Sequence, residues 1–141
     1  MKKSMQKNLT EPSDRGGEAL ILPLARYVLQ NDDFRRMLYT GEHLQLAEMC
    51  VGVGDHIGPE IHAQTDQMLC ILEGSAVVYT GTSAEDATLI GTAARGDAVV
   101  IPAGTFHDLI NAGRIPLRLF TVYAPPQHPF GTVVKARPSD D

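Results

Sequence analysis

Two short stretches of the sequence place residue types that can bind a metal ion among apolar residues. The first, GPEIHAQTDQMLCILEG at positions 58–74, holds Glu60, His62 and Gln67 just before an apolar run that ends in glycine. If these segments are strands, alternation puts Glu60 and His62 on one face, and Gln67 on the core-facing side of the next strand. A core-facing carboxylate is costly unless it is paired, neutralised or bound to a metal. The stretch therefore predicts a buried polar site.

The second stretch is GDAVVIPAGTFHDLIN at positions 96–111. Here His107, Leu109 and Asn111 share one face of a predicted strand, after a Pro-Ala-Gly turn that fixes the direction of the histidine. Taken alone, such a histidine is more often a hydrogen-bonded core side chain than a ligand. The presence of both stretches in one small chain favours a common site.

Short apolar runs separated by Gly, Pro, Asn and Asp make up most of the chain, and this pattern is typical of β-strands. The predicted strands span residues 19–24, 44–53, 59–63, 67–74, 75–81, 87–91, 97–102, 106–111 and 117–126. Only segment 31–39 suits a helical turn, with Asn31 or Asp32 as its cap. Short strands without long amphipathic helices predict an all-β protein, an antiparallel sandwich or barrel.

The length of 141 residues suits a single domain, which we predict over residues 18–134. Residues 1–17 are polar and carry charges of both signs, so we expect a disordered leader there. We expect the tail, 135–141, to be flexible for the same reason.

The formal net charge of −5 argues against nucleic-acid or anionic-membrane partners. No apolar run approaches the ~20 residues that cross a bilayer, and the N-terminal residues do not have the apolar centre of a signal peptide. Cys50 and Cys70 lie within apolar runs, where buried free thiols are expected. These features together predict a cytoplasmic protein.

The two stretches resemble the two sequence motifs of the cupin family. The first motif usually reads G-x5-H-x-H-x3/4-E-x6-G, and its positions are occupied here by Gly54, Glu60, His62, Gln67 and Gly74. The second reads G-x5-P-x-G-x2-H-x3-N and is matched at every position, by Gly96, Pro102, Gly104, His107 and Asn111. Glu60 thus stands where a histidine is usual, and Gln67 stands where a glutamate is usual.

The resemblance implies a small RmlC-like cupin: an antiparallel double-stranded β-helix, or jelly-roll barrel, with one metal ion in its mouth and usually a homodimer. Its metal ligands would be Glu60, His62, Gln67 and His107. Such a set suits Mn, Fe, Co, Ni or Zn, with the neutral amide as the weakest donor. The ligand types are similar to those of mannose-6-phosphate isomerases, which are also cupins. A barrel that has lost its metal is the alternative.

Three classes of function are consistent with this resemblance, because the cupin fold hosts many activities. The first is a metal-dependent dioxygenase or isomerase acting on a small polar molecule. The second is a ligand-binding or sensory module, and the third is a metal-free barrel with a structural role.

Residues around the predicted site discriminate weakly among these classes. A sugar-phosphate isomerase needs cations in its pocket, and only Arg118 is predicted to point inward, with Arg35 and Arg36 just before the sheet. The sequence allows two roles for His128, an acid/base group at the barrel mouth or a surface-packed side chain. It likewise allows Tyr123 to line the pocket or to pack in the core.

Overall fold

The computed structural model describes residues 9–138. One helix, α1 (Leu24–Gln30), precedes ten strands. The strands are β1 (Arg35–Thr40), β2 (Gln45–Val51), β3 (His56–Ile61), β4 (Asp66–Glu73), β5 (Ser75–Gly81), β6 (Thr88–Ala94), β7 (Ala98–Ile101), β8 (Phe106–Ile110), β9 (Leu117–Ala124) and β10 (Val133–Val134). No helix among the described residues is long and apolar enough to cross a membrane.

The strands form two antiparallel sheets that enclose one core. The larger sheet has the order β10-β1-β2-β9-β4-β7 and the smaller has the order β3-β8-β5-β6. Leu69 and Leu119 from the larger sheet and Ile57 and Leu109 from the smaller one are fully buried in the same cluster. The predicted all-β jelly-roll fold is therefore confirmed.

Alternation along β4 decides what faces this core. Gln67, Leu69 and Ile71 are buried, whereas Met68 is 39% exposed on the outer face. The inner residues pair with buried residues of β9, including Gln67 with Tyr123. A polar side chain at position 67 is therefore directed into the barrel, as the sequence predicted.

The helix and the first strand differ from the prediction. Residues 19–23 form no strand, and α1 follows them and buries Tyr27 and Val28. The proposed helical turn in 31–39 is wrong, because residues 35–40 form β1 and pair with β2. A helix of seven residues with only two buried side chains is too short to leave a periodic apolar pattern.

Residues 9–17, within the predicted leader, lie against the barrel. The Arg15 backbone N–H donates to the Leu38 carbonyl oxygen at 3.1 Å, and the Thr40 hydroxyl donates to the Asp14 carboxylate at 2.6 Å. At the other end, the Arg137 guanidinium donates to backbone carbonyl oxygens of β3. Residues 1–8 of the predicted leader and 139–141 of the predicted tail lie outside the described range.

The packing of the N-terminal segment and α1 over the outer face of the larger sheet buries a carboxylate. Glu48 of β2 is 1% exposed and lines a small cavity with Tyr27 and Asp33. Burial raises the pKa of Glu48 to about 7, although the Arg36 guanidinium at 3.7 Å opposes this shift. The Glu48 Oε1 atom accepts no hydrogen bond from the described residues.

We expect Glu48 to make the protein less stable as pH rises. The folded state retains a proton on Glu48 between its ordinary pKa of 4.5 and about 7, whereas the unfolded chain has lost it, so stability falls across that range. From pH 5 to 8 the unfolding free energy should fall by about 2–3 kcal/mol more in the wild type than in Glu48→Gln. Urea denaturation of both proteins at the two pH values measures this difference, and parallel curves would contradict it.

Candidate metal centre

Glu60 reaches the inside of the barrel through an irregularity in β3. Ile57 pairs with Leu109 and Glu60 pairs with His107, with a shift of register between the two pairs. Strict alternation would put Ile57 and Glu60 on opposite faces, because they are an odd number of residues apart. The irregularity at Gly58 and Pro59 reverses that alternation, as a β-bulge does. Glu60 consequently shares the inner face with the core.

Three of the predicted ligands converge there. The Glu60 Oε1 atom lies 3.2 Å from His62 Nε2 and 3.3 Å from His107 Nε2. One potential ligand atom from each residue lies within 4.8 Å of the others. His107 is fully buried and His62 is 9% exposed, whereas the Glu60 side chain retains 27% exposure. The centre therefore opens to solvent on its carboxylate side.

Backbone contacts hold the two histidines in place. The Gly104 N–H donates to the His62 carbonyl oxygen at 2.8 Å, which ties the end of β3 to the turn before β8. His107 Nδ1 lies 3.0 Å from the Thr105 carbonyl oxygen, which can only accept a hydrogen bond. The Nδ1 atom therefore carries a proton, and Nε2 is the ring nitrogen that faces Glu60.

The charge on Glu60 is favoured by this environment. Burial alone would raise its pKa, but the adjacent His107 and His62 outweigh that effect and hold the pKa well below its usual range. The carboxylate is thus ionised at neutral pH while it faces the ring nitrogens of two histidines.

This geometry fits a bound metal ion. Two donor atoms bound at ~2.0–2.2 Å to one ion lie roughly 3.0–3.5 Å apart for common coordination angles. The two distances from Glu60 Oε1 fall in that range. Two imidazole nitrogens and a carboxylate oxygen are also donor types that divalent first-row ions accept. A divalent ion among these atoms would be bound by all three.

The fourth predicted ligand, Gln67, lies on the same inner surface in β4. Its amide nitrogen donates to the Thr121 hydroxyl at 3.0 Å, which fixes the orientation of the amide. Its Oε1 atom is buried and accepts no hydrogen bond from the described residues. Gln67 thus keeps its one oxygen donor free inside the barrel, as a ligand or an acceptor for bound water.

Two residues whose roles the sequence left open extend this site. The Tyr123 ring lies 6.1 Å from the His62 ring and 5.1 Å from the His128 ring, edge-on to both. The segment after β9 is held over the barrel by Gln45, whose fully buried amide bonds to the backbone N–H and carbonyl of His128. Neither the Tyr123 hydroxyl nor His128 Nε2 has a hydrogen-bond partner among the described residues.

Burial dominates the ionisation of both residues. It raises the pKa of the Tyr123 phenol, so the hydroxyl stays protonated and can donate. Burial, with the charge of Arg35 added, lowers the pKa of His128 to about 4. At neutral pH the site therefore presents a phenol and a neutral imidazole opposite Glu60.

The arginines differ from the prediction. Arg118 points outward, not inward, and its guanidinium binds Asp32 at 2.7 Å and Glu73 at 3.2 Å. Arg35 lies inside β1 and is 9% exposed, while its neighbour Arg36 binds Asp33 on the outer face. The sequence did not predict this orientation because two adjacent arginines in a strand point to opposite faces, and the sequence does not show which of them points inward. The pairing of Arg35 with the buried Met49 reveals it.

Asn111, the last residue of the second motif, has a structural role. Its amide nitrogen donates to the carbonyl oxygens of Val51 and Ile115, and its oxygen accepts from the Gly113 N–H. These bonds fasten the turn after β8 to the end of β2, away from the histidines.

Comparison with known proteins agrees with this architecture. The Cupin domain family model matches residues 47–123. The uncharacterized protein YrkC of Bacillus subtilis is 42% identical over 120 residues, which cover 85% of this chain and 64% of that protein. The chain therefore spans less than two thirds of the length of this relative.

Solved structures show the same likeness. The crystal structure of BH2720 from Bacillus halodurans is 40% identical and superposes with a TM-score of 0.85, over 87% of this chain and 93% of that one. An RmlC-like cupin family protein from Methanocaldococcus jannaschii with a double-stranded β-helix fold reaches a TM-score of 0.53 at 19% identity, over 64% and 78% of the two chains. The second comparison supports the fold alone.

Substitution of Gly58 should disturb both the fold and the centre. Gly58 has φ +103°, and an added Cβ would lie 2.7 Å from the His107 carbonyl oxygen. We expect Gly58→Ala to lower the unfolding free energy by about 1–3 kcal/mol, because the added methyl group would strain the bulge. Metal binding should weaken as well, since this bulge directs Glu60 inward. Gly52→Ala is the control, since its added Cβ would meet only ordinary contacts at 3.8 Å. Equal effects of the two substitutions would contradict the role of the bulge.

Proposed function

This chain belongs to the cupin family, and we propose that it binds one divalent first-row metal ion and presents it to a small polar molecule in the barrel mouth. One observation carries the proposal: a single carboxylate oxygen of Glu60 lies 3.2–3.3 Å from Nε2 of both His62 and His107. This spacing is the one expected for donor atoms around a single ion, and the contact of His107 Nδ1 with the Thr105 carbonyl oxygen leaves Nε2 as the ligand atom.

Glu60, His62 and His107 would hold the ion, with Gln67 Oε1 as a fourth, weaker donor. Two imidazoles and one carboxylate suit Mn, Fe, Co, Ni or Zn and leave coordination positions for a ligand. When bound, such an ion supplies Lewis-acid or redox chemistry. The protein residues orient the donors: Thr105 fixes the tautomer of His107.

The remaining polar groups support a small-molecule ligand over a purely structural barrel. The Tyr123 hydroxyl, His128 Nε2 and Gln67 Oε1 are buried without hydrogen bonds from the described residues. Unpaired buried polar atoms are costly, and a bound polar molecule with its waters would satisfy them. This site serves an enzyme of the dioxygenase or isomerase type and a ligand-binding or sensory module equally well.

The cytoplasmic location and the lack of nucleic-acid or membrane partners remain predictions.

We expect one metal ion per chain and an unequal dependence on the ligands. His107→Ala should weaken metal binding by roughly 100-fold or more, since it removes a buried imidazole, whereas Gln67→Ala should weaken it by about 10-fold or less. Calorimetric titration with Mn²⁺ and Zn²⁺ measures both effects. His43→Ala is the matched control, because that imidazole is 86% exposed on the surface.

Circular dichroism and urea denaturation show whether the variants are folded. A folded His107→Ala protein with unchanged metal affinity would overturn the proposal. Equal losses in the two ligand variants would show that Gln67 is a full ligand.

We also propose a homodimer. Ile90 on the edge strand β6 and Val100 on the edge strand β7 are 60% and 64% exposed and line the same cleft. Exposed edges with apolar side chains are commonly covered by a second copy. Light scattering at micromolar concentration should give twice the chain mass for the wild type and the monomer mass for Val100→Glu. Ile21→Glu, at another exposed site, should leave the dimer intact. A monomeric wild type would contradict the proposal.

A further inference from the structure

Arg35 is a buried cation that the metal site does not use. It begins β1, where it pairs with the fully buried Met49, so its side chain points to the inner face of the larger sheet. It is 9% exposed, and its guanidinium carbon lies 5.1 Å from the centre of the Phe34 ring. A positive charge in this position is costly unless a negative group offsets it.

The described residues provide no direct counter-ion for Arg35. None of the carboxylates in residues 9–138 lies within ion-pair distance of its guanidinium, in contrast to Arg36 and Arg118. Its Nε atom is buried and donates to no described residue. The guanidinium interacts with the neutral Tyr123 phenol, so its Nε donor and its positive charge remain without an anionic partner among the described residues.

Arg35 faces the metal centre across a cleft. A cavity of about 190 Å³ is bordered by Arg35, Pro59, Glu60 and Arg137. The Arg35 charge also acts on the Tyr123 phenol and the His128 imidazole, on which Glu60 acts as well. Among the described residues that border this cavity, Glu60 is the one that carries a negative charge.

The charges in this space are unbalanced once a metal is bound. A divalent ion and the guanidinium groups of Arg35 and Arg137 exceed the single negative charge of Glu60, and an anionic ligand would offset the excess. The Arg137 guanidinium already donates to the carbonyl oxygens of His56 and Gly58. Arg35 is thus the cation whose buried donor is left for a ligand.

Building on the proposed metal site, we propose that Arg35 binds the carboxylate of a small ligand whose other end reaches the metal ion. The planar fork of a guanidinium matches a carboxylate in two parallel hydrogen bonds. The Tyr123 ring lies beside the rings of His62 and His128, so its hydroxyl and His128 Nε2 would bond polar atoms of the ligand near the metal. A cavity smaller than the ~300 Å³ of drug-sized pockets restricts the ligand to a few heavy atoms. Because Arg137 donates to backbone carbonyl oxygens, Arg35 is the guanidinium assigned to the ligand, and one such group suits a singly charged carboxylate better than a doubly charged phosphate.

Calorimetry with L-lactate as the probe tests this assignment on the full chain loaded with Mn²⁺ or Zn²⁺. Lactamide is the neutral match, and inorganic phosphate is the competing anion. Arg35→Gln should weaken lactate binding by roughly 30-fold or more, because a buried charge loses its partner. It should leave the affinities for lactamide and for the metal within about 3-fold. Arg35→Lys, which keeps the charge but loses the fork, should fall between the wild type and Arg35→Gln.

The controls separate this inference from general damage and from the proposed function. Arg95→Gln, at an exposed turn, should change none of the affinities. Equal loss of lactate and lactamide binding in Arg35→Gln, or phosphate binding tighter than lactate binding, would overturn the inference. If the wild type binds no metal, the proposed function fails. Lactate binding to the metal-free protein that still depends on Arg35 would then support the carboxylate site by itself. If Arg35→Gln does not fold, the lactate affinity of Arg35→Lys is compared with that of the wild type, and an unchanged affinity would overturn the inference.

Discussion

The ionised Glu60 carboxylate, held between two imidazoles inside a β-barrel, is the interaction on which the site depends. A carboxylate beside apolar strands is tolerated only if positive charge or hydrogen-bond donors compensate it. The Thr105 carbonyl oxygen lies at hydrogen-bond distance from His107 Nδ1 and leaves Nε2 as the ring nitrogen that faces Glu60. A metal ion at this point would satisfy all three groups, and the surrounding strands hold them at the corresponding spacing.

The sequence predicted the fold from local alternation, and the resemblance of its two motifs to those of cupins predicted that Glu60, His62 and His107 come together. Alternation in β4 correctly put Gln67 on the inner face and Met68 on the outer face. The two motifs predicted which residues meet, namely Glu60, His62 and His107. The distances between their side-chain atoms could not be read from the spacing of these residues along the chain. The helix was missed because its seven residues bury only two side chains.

The parts of the site that the sequence did not predict depend on long-range pairing. Arg35 faces inward because of its register with Met49, and the alternation of β1 is masked since Leu38, on the opposite face from Met37, is also buried. His128 reaches the barrel mouth because Gln45, 83 residues earlier, holds its backbone. Such contacts leave no periodic signal in the sequence, and they supply the polar wall opposite the metal donors.

X-ray absorption spectroscopy on the reconstituted protein can show whether one metal ion is bound by two imidazoles and a carboxylate. We expect nitrogen and oxygen donors at ~2.0–2.2 Å from the metal, with the multiple-scattering pattern of two histidine rings. His107→Ala should reduce that pattern to one ring. Coordination by oxygen alone, or a protein that retains no metal after reconstitution, would show that the histidines do not bind a metal ion.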